Sequence, residues 1–233
     1  MSMSEPPSKR QRTDDEDRRS MVIRSKDFWF DDGNVVLHVQ SMQFRLSKSV
    51  LAMHSPVFRD MFSLPLPLEE PLVERCPVVV LFGDTSEDWE YLLRAIFPKE
   101  LTQNYSTLCR WFHDGGADSA PSVPELRAVL RLSKKYDIAG FRKRCVKVLK
   151  DVFPSSFAQY DDDRCPCLGS GAISLPAHTD ETEFNVQIIN LAREVGLYSI
   201  LPLAFYGLIH AQAGEPDVCD ILVSFLLSIL YRT

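Results

Sequence analysis

Residues 44–62 read Phe44-Arg45-Leu46-Ser47-Lys48-Ser49-Val50-Leu51-Ala52-Met53-His54-Ser55-Pro56-Val57-Phe58-Arg59-Asp60-Met61-Phe62. The stretch opens on the end of a short strand, Gln43 to Leu46, and then becomes helical. Ser47 stands as the N-cap of a helix over 48–54, and Ser55-Pro56 restarts a helix with a cap and a Pro in its first turn, running to Phe62. Two short helices therefore meet at a Ser-Pro corner. Neither buries enough to stand alone, so they must share a core with their neighbours. Phe44, Leu51, Val57, Phe58, Met61 and Phe62 are the expected contents of that core.

Upstream, ordered sequence is expected to begin near Phe28. Asp32-Gly33 supplies a turn, and 34–40 alternates, with Val35, Leu37 and Val39 on one face and Val36, His38 and Gln40 on the other, a half-buried strand. Ser41 and Met42 turn the chain into the strand before the corner. Downstream, 64–77 holds Pro65, Pro67, Pro71 and Pro77 with Glu69, Glu70 and Glu74, and reads as an extended loop. Val78 to Phe82 is short and apolar enough for a buried strand. Thr85 and Asp88 are spaced for mutual capping, and Trp89, Leu92, Leu93 and Ile96 fall on one helical face ended by Pro98. Leu126, Val129, Leu130 and Tyr136 repeat that logic over 122–137, and Phe141, Cys145, Val148, Leu149 and Val152 mark another helix. Residues 154–182, with Asp161-Asp162-Asp163 and Gly169-Ser170-Gly171, lack periodicity and read as a linker. Ile188, Leu191, Ala192 and Val195 resume a helix stopped by Gly196, and Pro202 opens a last one to His210. The order of elements predicts an α+β fold around a mainly three-stranded sheet, with a helical C-terminal region.

The chain has 233 residues, 45% apolar and 25% charged, with 10 Gly, 15 Pro and a formal charge of -6. These values exclude collagen-like, wholly disordered and disulfide-scaffold classes. Six cysteines are too sparse for a disulfide framework, which points to a reducing compartment. Residues 1–20 carry five cations and five acids and no apolar stretch, so a disordered charged tail without a secretory signal is expected. Within it, Lys9, Arg10 and Arg12 resemble a short nuclear import signal. The apolar run Val218 to Tyr231 falls short of the roughly 20 residues that span a bilayer. Location in nucleus or cytoplasm, with no membrane partner, is the expectation. The mild average charge also divides: the tail sums to zero, residues 122–153 to +6, and the remainder to -12.

The 44–62 stretch resembles the signature of BTB/POZ domains, in which an aromatic, a basic residue and a Leu precede Ser-x-x-Phe and Met-Phe. Leu132-Ser133-Lys134-Lys135-Tyr136-Asp137-Ile138 resembles the helix pair that follows the family's core. Leu191-Ala192-Arg193-Glu194-Val195-Gly196, with Leu201-Pro202-Leu203-Ala204-Phe205-Tyr206, is similar to the C-terminal region of BTB proteins abundant in mushroom-forming fungi. The resemblance covers roughly 28–210. It implies a tail at 1–20, a BTB/POZ domain with helical extension at 28–152, a linker at 153–182 and a C-terminal helical region at 183–233.

For function, the resemblance implies a non-enzymatic protein-interaction module whose partners are itself, as a homodimer, and other proteins. In transcription-factor members a carboxylate at the position of Asn34 pairs with the basic residue corresponding to Lys48. Asn34 leaves Lys48 without that ionic partner, and Ser47 stands where many members have His. Leu68-Glu69-Glu70 resembles the apolar-x-Glu element of members that bind a cullin scaffold, with the helices over 122–152 as the extension such adaptors use. No zinc-finger spacing follows the domain, so sequence-specific nucleic-acid reading has no module.

Catalytic chemistry has no foothold in the sequence. No phosphate-binding Gly loop, nucleophile elbow or His-Glu-x-x-His is present, and His38, His54, His113, His178 and His210 are scattered. Cys165-Pro166-Cys167 with His178 is spaced too tightly for a tetrahedral zinc site. No cofactor, metal or catalytic residue is expected, and an enzyme with a cryptic site is the reading from another class. The cations from Arg127 to Lys150 lie opposite the apolar stripes and are expected on a solvated face, open to an acidic partner surface.

Overall fold

The alternation over 34–40 becomes the centre of a mixed sheet in the computed structural model, which describes residues 22–65, 72–97, 120–155, 173 and 180–213. Its strands are β1 (Ile23–Trp29), β2 (Val35–Val39), β3 (Met42–Leu46), β4 (Leu72–Val73) and β5 (Cys76–Val80), in the order β1-β3-β2-β5-β4. β2 and β3 form an antiparallel hairpin with Val35 opposite Leu46 and Val39 opposite Met42. Its turn places Gln40 in the left-handed region at φ 55°, where that side chain accepts hydrogen bonds from the backbone and hydroxyl of Ser86. β5 lies parallel to β2, and β1 parallel to β3.

The sheet therefore has five strands, where the sequence pattern predicts three, and its first strand begins at Ile23, ahead of the start expected near Phe28. Two features hide β1. It is an edge strand with charged residues at three of its four exposed positions, and an irregularity between Arg24 and Trp29 breaks its period of two, leaving Ser25 and Phe28 as its buried residues. β4 is only two residues long and sits inside the Pro-rich stretch read as loop.

The helices are α1 (Lys48–His54), α2 (Pro56–Ser63), α3 (Ser86–Ile96), α4 (Val123–Lys135), α5 (Ala139–Val152), α6 (Glu181–Val195) and α7 (Leu201–Ala213). Their starts follow local chemistry. Thr85 Oγ1 accepts from Asp88 N, Ser122 and Glu125 form a reciprocal capping box, and Asp180 accepts from Glu183 N. Gly196, at φ 77°, closes α6 in the left-handed conformation that glycine adopts without steric cost. Ser47 departs from expectation: it occupies the N-cap position of α1 but makes no side-chain cap bond.

One continuous apolar core runs from Phe28 to Ala204. Val35, Leu37, Val39, Phe44 and Leu46 supply the sheet side, and Trp89, Leu92 and Leu93 of α3 lie against them with Leu126 and Val129 of α4. Of the expected core residues, Phe44, Leu51 and Phe58 are buried, while Met61 and Phe62 are half-buried against the core. Val57 is a correction, being 38% exposed. Phe58 is the buried residue of α2, and the 100° step per residue turns its neighbour Val57 outward. Beyond α5, Phe153 stacks on Phe184 of α6 at 6.0 Å, so the C-terminal helices share the core of the sheet unit.

Candidate interaction surface

The Ser-Pro corner is a rigid mount. Ser55 accepts from Phe58 N, capping α2, and its hydroxyl donates to the backbone carbonyl of Tyr136 at 2.5 Å, fixing the corner to the end of α4. Phe58 stacks on Tyr136 at 4.8 Å and meets Trp89 edge-on at 5.9 Å. His54, closing α1, stacks on Phe141 of α5 at 5.7 Å. What this anchored corner turns outward is partly apolar: Met53 is 74% exposed and Val57 joins it, with Arg59 and Asp60 alongside.

Asn34 supplies the cap that Ser47 does not. Its Oδ1 accepts from the backbone N of Lys48 at 2.7 Å, satisfying an orphan donor at the first turn of α1. A side chain from the entry to β2 thereby holds the helix start. The Lys48 ammonium lies 5.6 Å from the centre of the Phe62 ring, a cation-π contact in place of an ion pair.

A second construction holds the sheet edge. Arg45 donates to the carbonyls of Gly33 and Asp31 and to Glu74, and Glu74 also receives Arg24 at 2.6 Å. Arg24 in turn covers the ring of Trp29 at 4.6 Å. This clip ties β1 and β3 to the turn before β5. The outer edge of β1 has no strand partner among the described residues, and Ile23 at its start is 53% exposed.

A family model of the BTB/POZ domain matches residues 24–152, more than half of the chain. The chain belongs to the BTB/POZ family. No curated protein matches it. BTB/POZ domains mediate self-association and binding to other proteins, so this chain carries a protein–protein interaction module built on a small mixed sheet and clustered helices.

The BTB/POZ domain brings Asn34 and Lys48 together, though through the backbone of Lys48. Leu68, Glu69 and Glu70 lie outside the described residues, as do Lys9, Arg10 and Arg12, Cys165, Cys167 and His178, and the run from Val218 to Tyr231. Among the described residues no three metal-ligating side chains gather into a site, and no helix is long and apolar enough to cross a membrane.

The cations of α4 are not simply solvated. Arg127 pairs with Glu194 at 3.0 Å, Arg131 bonds Asp88 and approaches Glu194, Lys134 donates to the carbonyl of Val195, and Lys135 meets Asp84 at 2.7 Å. Four of the nine cations in the basic stretch thus stitch α6 and the start of α3 onto α4. Asp84 is the buried centre of this seam, also accepting from Trp89 Nε1 at 3.0 Å and from the Tyr136 hydroxyl. Burial, and then the bond to that carboxylate, push the Tyr136 hydroxyl far above the ordinary phenol range. Sequence reasoning did not single out Met53, although its step of two residues from Leu51, the buried residue of α1, puts it on the opposite side of that helix. It also missed Asp84, whose role appears only when Trp89 and Tyr136 converge on it.

Proposed function

We propose that the chain is a non-enzymatic scaffold that assembles as a homodimer and presents paired surfaces to other proteins. The observation that carries this reading is the apolar exposure of Met53 and Val57 on a corner that hydrogen bonds and ring stacking hold rigid. A pre-organised apolar patch loses little side-chain freedom when covered, which is what a stable interface needs. Ile23 and the open edge of β1 support a second contact in the same assembly. Light scattering coupled to size exclusion tests it: wild type at micromolar concentration elutes with twice the chain mass, and Met53→Asp/Val57→Asp elutes with the chain mass. A monomeric wild type refutes the reading.

A second reading is an adaptor that recruits a cullin scaffold through Leu68 and Glu70. The motif follows shortly after the anchored α2, and α4 and α5 pack as a helical pair behind the corner, which supports it. Co-purification of a cullin with wild type, lost in Leu68→Ala/Glu70→Ala, is the expected result. Lys9, Arg10 and Arg12 direct the protein to the nucleus in this proposal. A fluorescent fusion with all three changed to Ala then stays cytoplasmic.

A further inference from the structure

α5 departs from the charge pattern of α3, α4 and α6. α3, α4 and α6 each carry acidic residues in their first turn, where the helix dipole is positive. α5 has none, lacks a side-chain cap at Ile138, and places Arg142, Lys143 and Arg144 in succession just past its start. Phe141, Cys145, Leu149 and Val152 bury one face. On the opposite face Lys143, Lys147 and Lys150 follow at i, i+4 and i+7, all exposed. Like charges at these spacings oppose helix formation.

Elsewhere in the basic stretch the charge is used within the chain, since every cation of α4 meets a carboxylate or a carbonyl. On α5, Lys147 pairs with Asp151 at 3.3 Å in full exposure to water, a contact of little energy. Lys143 and Lys150 have no carboxylate within ion-pair distance among the described residues. The stripe opposes the fold locally and the exposed Lys147–Asp151 pair is the one ion pair that answers it among the described residues, which is the pattern expected where an outside partner supplies the compensation. Ala139 and Gly140, exposed at its upper end, leave approach open, with no heavy atom within 4 Å of a Cβ placed on Gly140.

We propose that the face of α5 formed by Lys143, Lys147 and Lys150 is a docking surface for an extended acidic segment of a partner protein. Seven residues of helix span about 10 Å, which an extended chain covers in three to four residues, so a short run of Asp or Glu fits the stripe. The aromatics nearest the stripe, Tyr136 and Phe141, are buried away from base stacking, so a nucleic acid would gain only phosphate contacts there. An acidic polypeptide is therefore favoured over nucleic acid. The proposal rests on the chain being an interaction module but uses a different face from the α1–α2 corner.

The test is fluorescence anisotropy of the full chain with a labelled peptide of six consecutive glutamates, its six-glutamine counterpart, and a twelve-nucleotide oligothymidine. At 50 mM NaCl the glutamate peptide binds, and binding weakens at 300 mM. Lys143→Glu/Lys147→Glu/Lys150→Glu weakens it at least about tenfold, while Lys26→Glu on β1 leaves it unchanged. Lys143→Gln/Lys147→Gln/Lys150→Gln, which relieves the like-charge contacts, also loses binding while melting no lower than wild type. Equal binding of the glutamine peptide, no loss on triple substitution, or tighter binding of the oligonucleotide overturns the proposal. Light scattering of the same samples keeps it separate from the dimer reading. Failure of that reading changes the wild-type mass without touching peptide binding, and a mass change caused by the triple variant alone assigns the stripe to self-association and overturns docking.

Discussion

Replacing Asp84 by Ala removes the acceptor at the centre of the α3–α4 seam. Its side chain is 2% exposed and receives three donors: Trp89 Nε1, the Tyr136 hydroxyl and the Lys135 ammonium. Trp89 and Tyr136 are buried, so each loses a charge-assisted bond and keeps an unsatisfied donor, at about 1.5–2.5 kcal/mol apiece. Lys135 is 43% exposed and still donates to the Phe82 carbonyl at 2.7 Å, so its share is a fraction of a kcal/mol. The sum, about 3–5 kcal/mol, lies in the range for breaking a buried charge network by removing one partner. At about 2–4 °C per kcal/mol for a chain of this size, the melting temperature falls by about 6–20 °C. Calorimetry reads the drop, and a double-mutant cycle reads its cause. Tyr136→Phe lowers stability by about 1.5 kcal/mol in wild type but by almost nothing in Asp84→Ala, where the hydroxyl has already lost its partner. A melting temperature for Asp84→Ala within 2 °C of wild type, or an equal cost of Tyr136→Phe in both backgrounds, refutes the reasoning.

Stability also falls in alkali. Burial pushes the Cys145 thiol up to about 12 from 9.0, and Tyr136 is likewise raised from 10.0. The native state keeps protons that the unfolded chain releases, so this contribution is whole below pH 9 and is lost as pH rises, by about 1.4 kcal/mol per unit for each group. Urea midpoints measured from pH 8 to 10.5 decline in wild type and less in Cys145→Ala; a flat wild-type profile contradicts this. Gly207→Ala sets a Cβ 2.8 Å from Asn185 Oδ1, and costs about 1–3 kcal/mol in chemical denaturation, part of which Asn185→Ala restores. Ser55→Ala loses both the cap of α2 and the bond to Tyr136, lowering stability by about 1–2 kcal/mol in the same assay.

Where a residue's role is set by its sequence neighbours, the fold was legible beforehand. Thr85 as the cap of α3, Gly196, and the face of Trp89, Leu92, Leu93 and Ile96 all declared themselves by spacing, because capping and amphipathic burial are local, although Asp88 turns its carboxylate to Arg131 rather than back to Thr85. Roles set by distant partners were not legible. β1 exists because β3 offers an edge and Glu74 a counter-charge, neither of which local alternation reports. Asn34 looked like a lost ionic partner, whereas its position beside α1 makes it a cap. Val57 shares the apolar character of the core, yet one helical step from Phe58 takes it to the surface. The α4 cations looked solvent-facing because Asp88 lies about 40 residues upstream and Glu194 about 60 downstream.

The family match ends at residue 152, but the packing does not. Phe153 needs Phe184, and Arg131 reaches both Asp88 of α3 and Glu194 of α6. A version of the protein shortened after residue 152 would leave Phe153's packing site unfilled and Arg131 with one counter-charge fewer. The sheet unit and the C-terminal helices therefore divide the surface between them but share one core, and a single calorimetric transition is the expected outcome. A partner pulling on α6 or α7 loads the same core as one gripping the corner, since both sets of helices bury side chains in it.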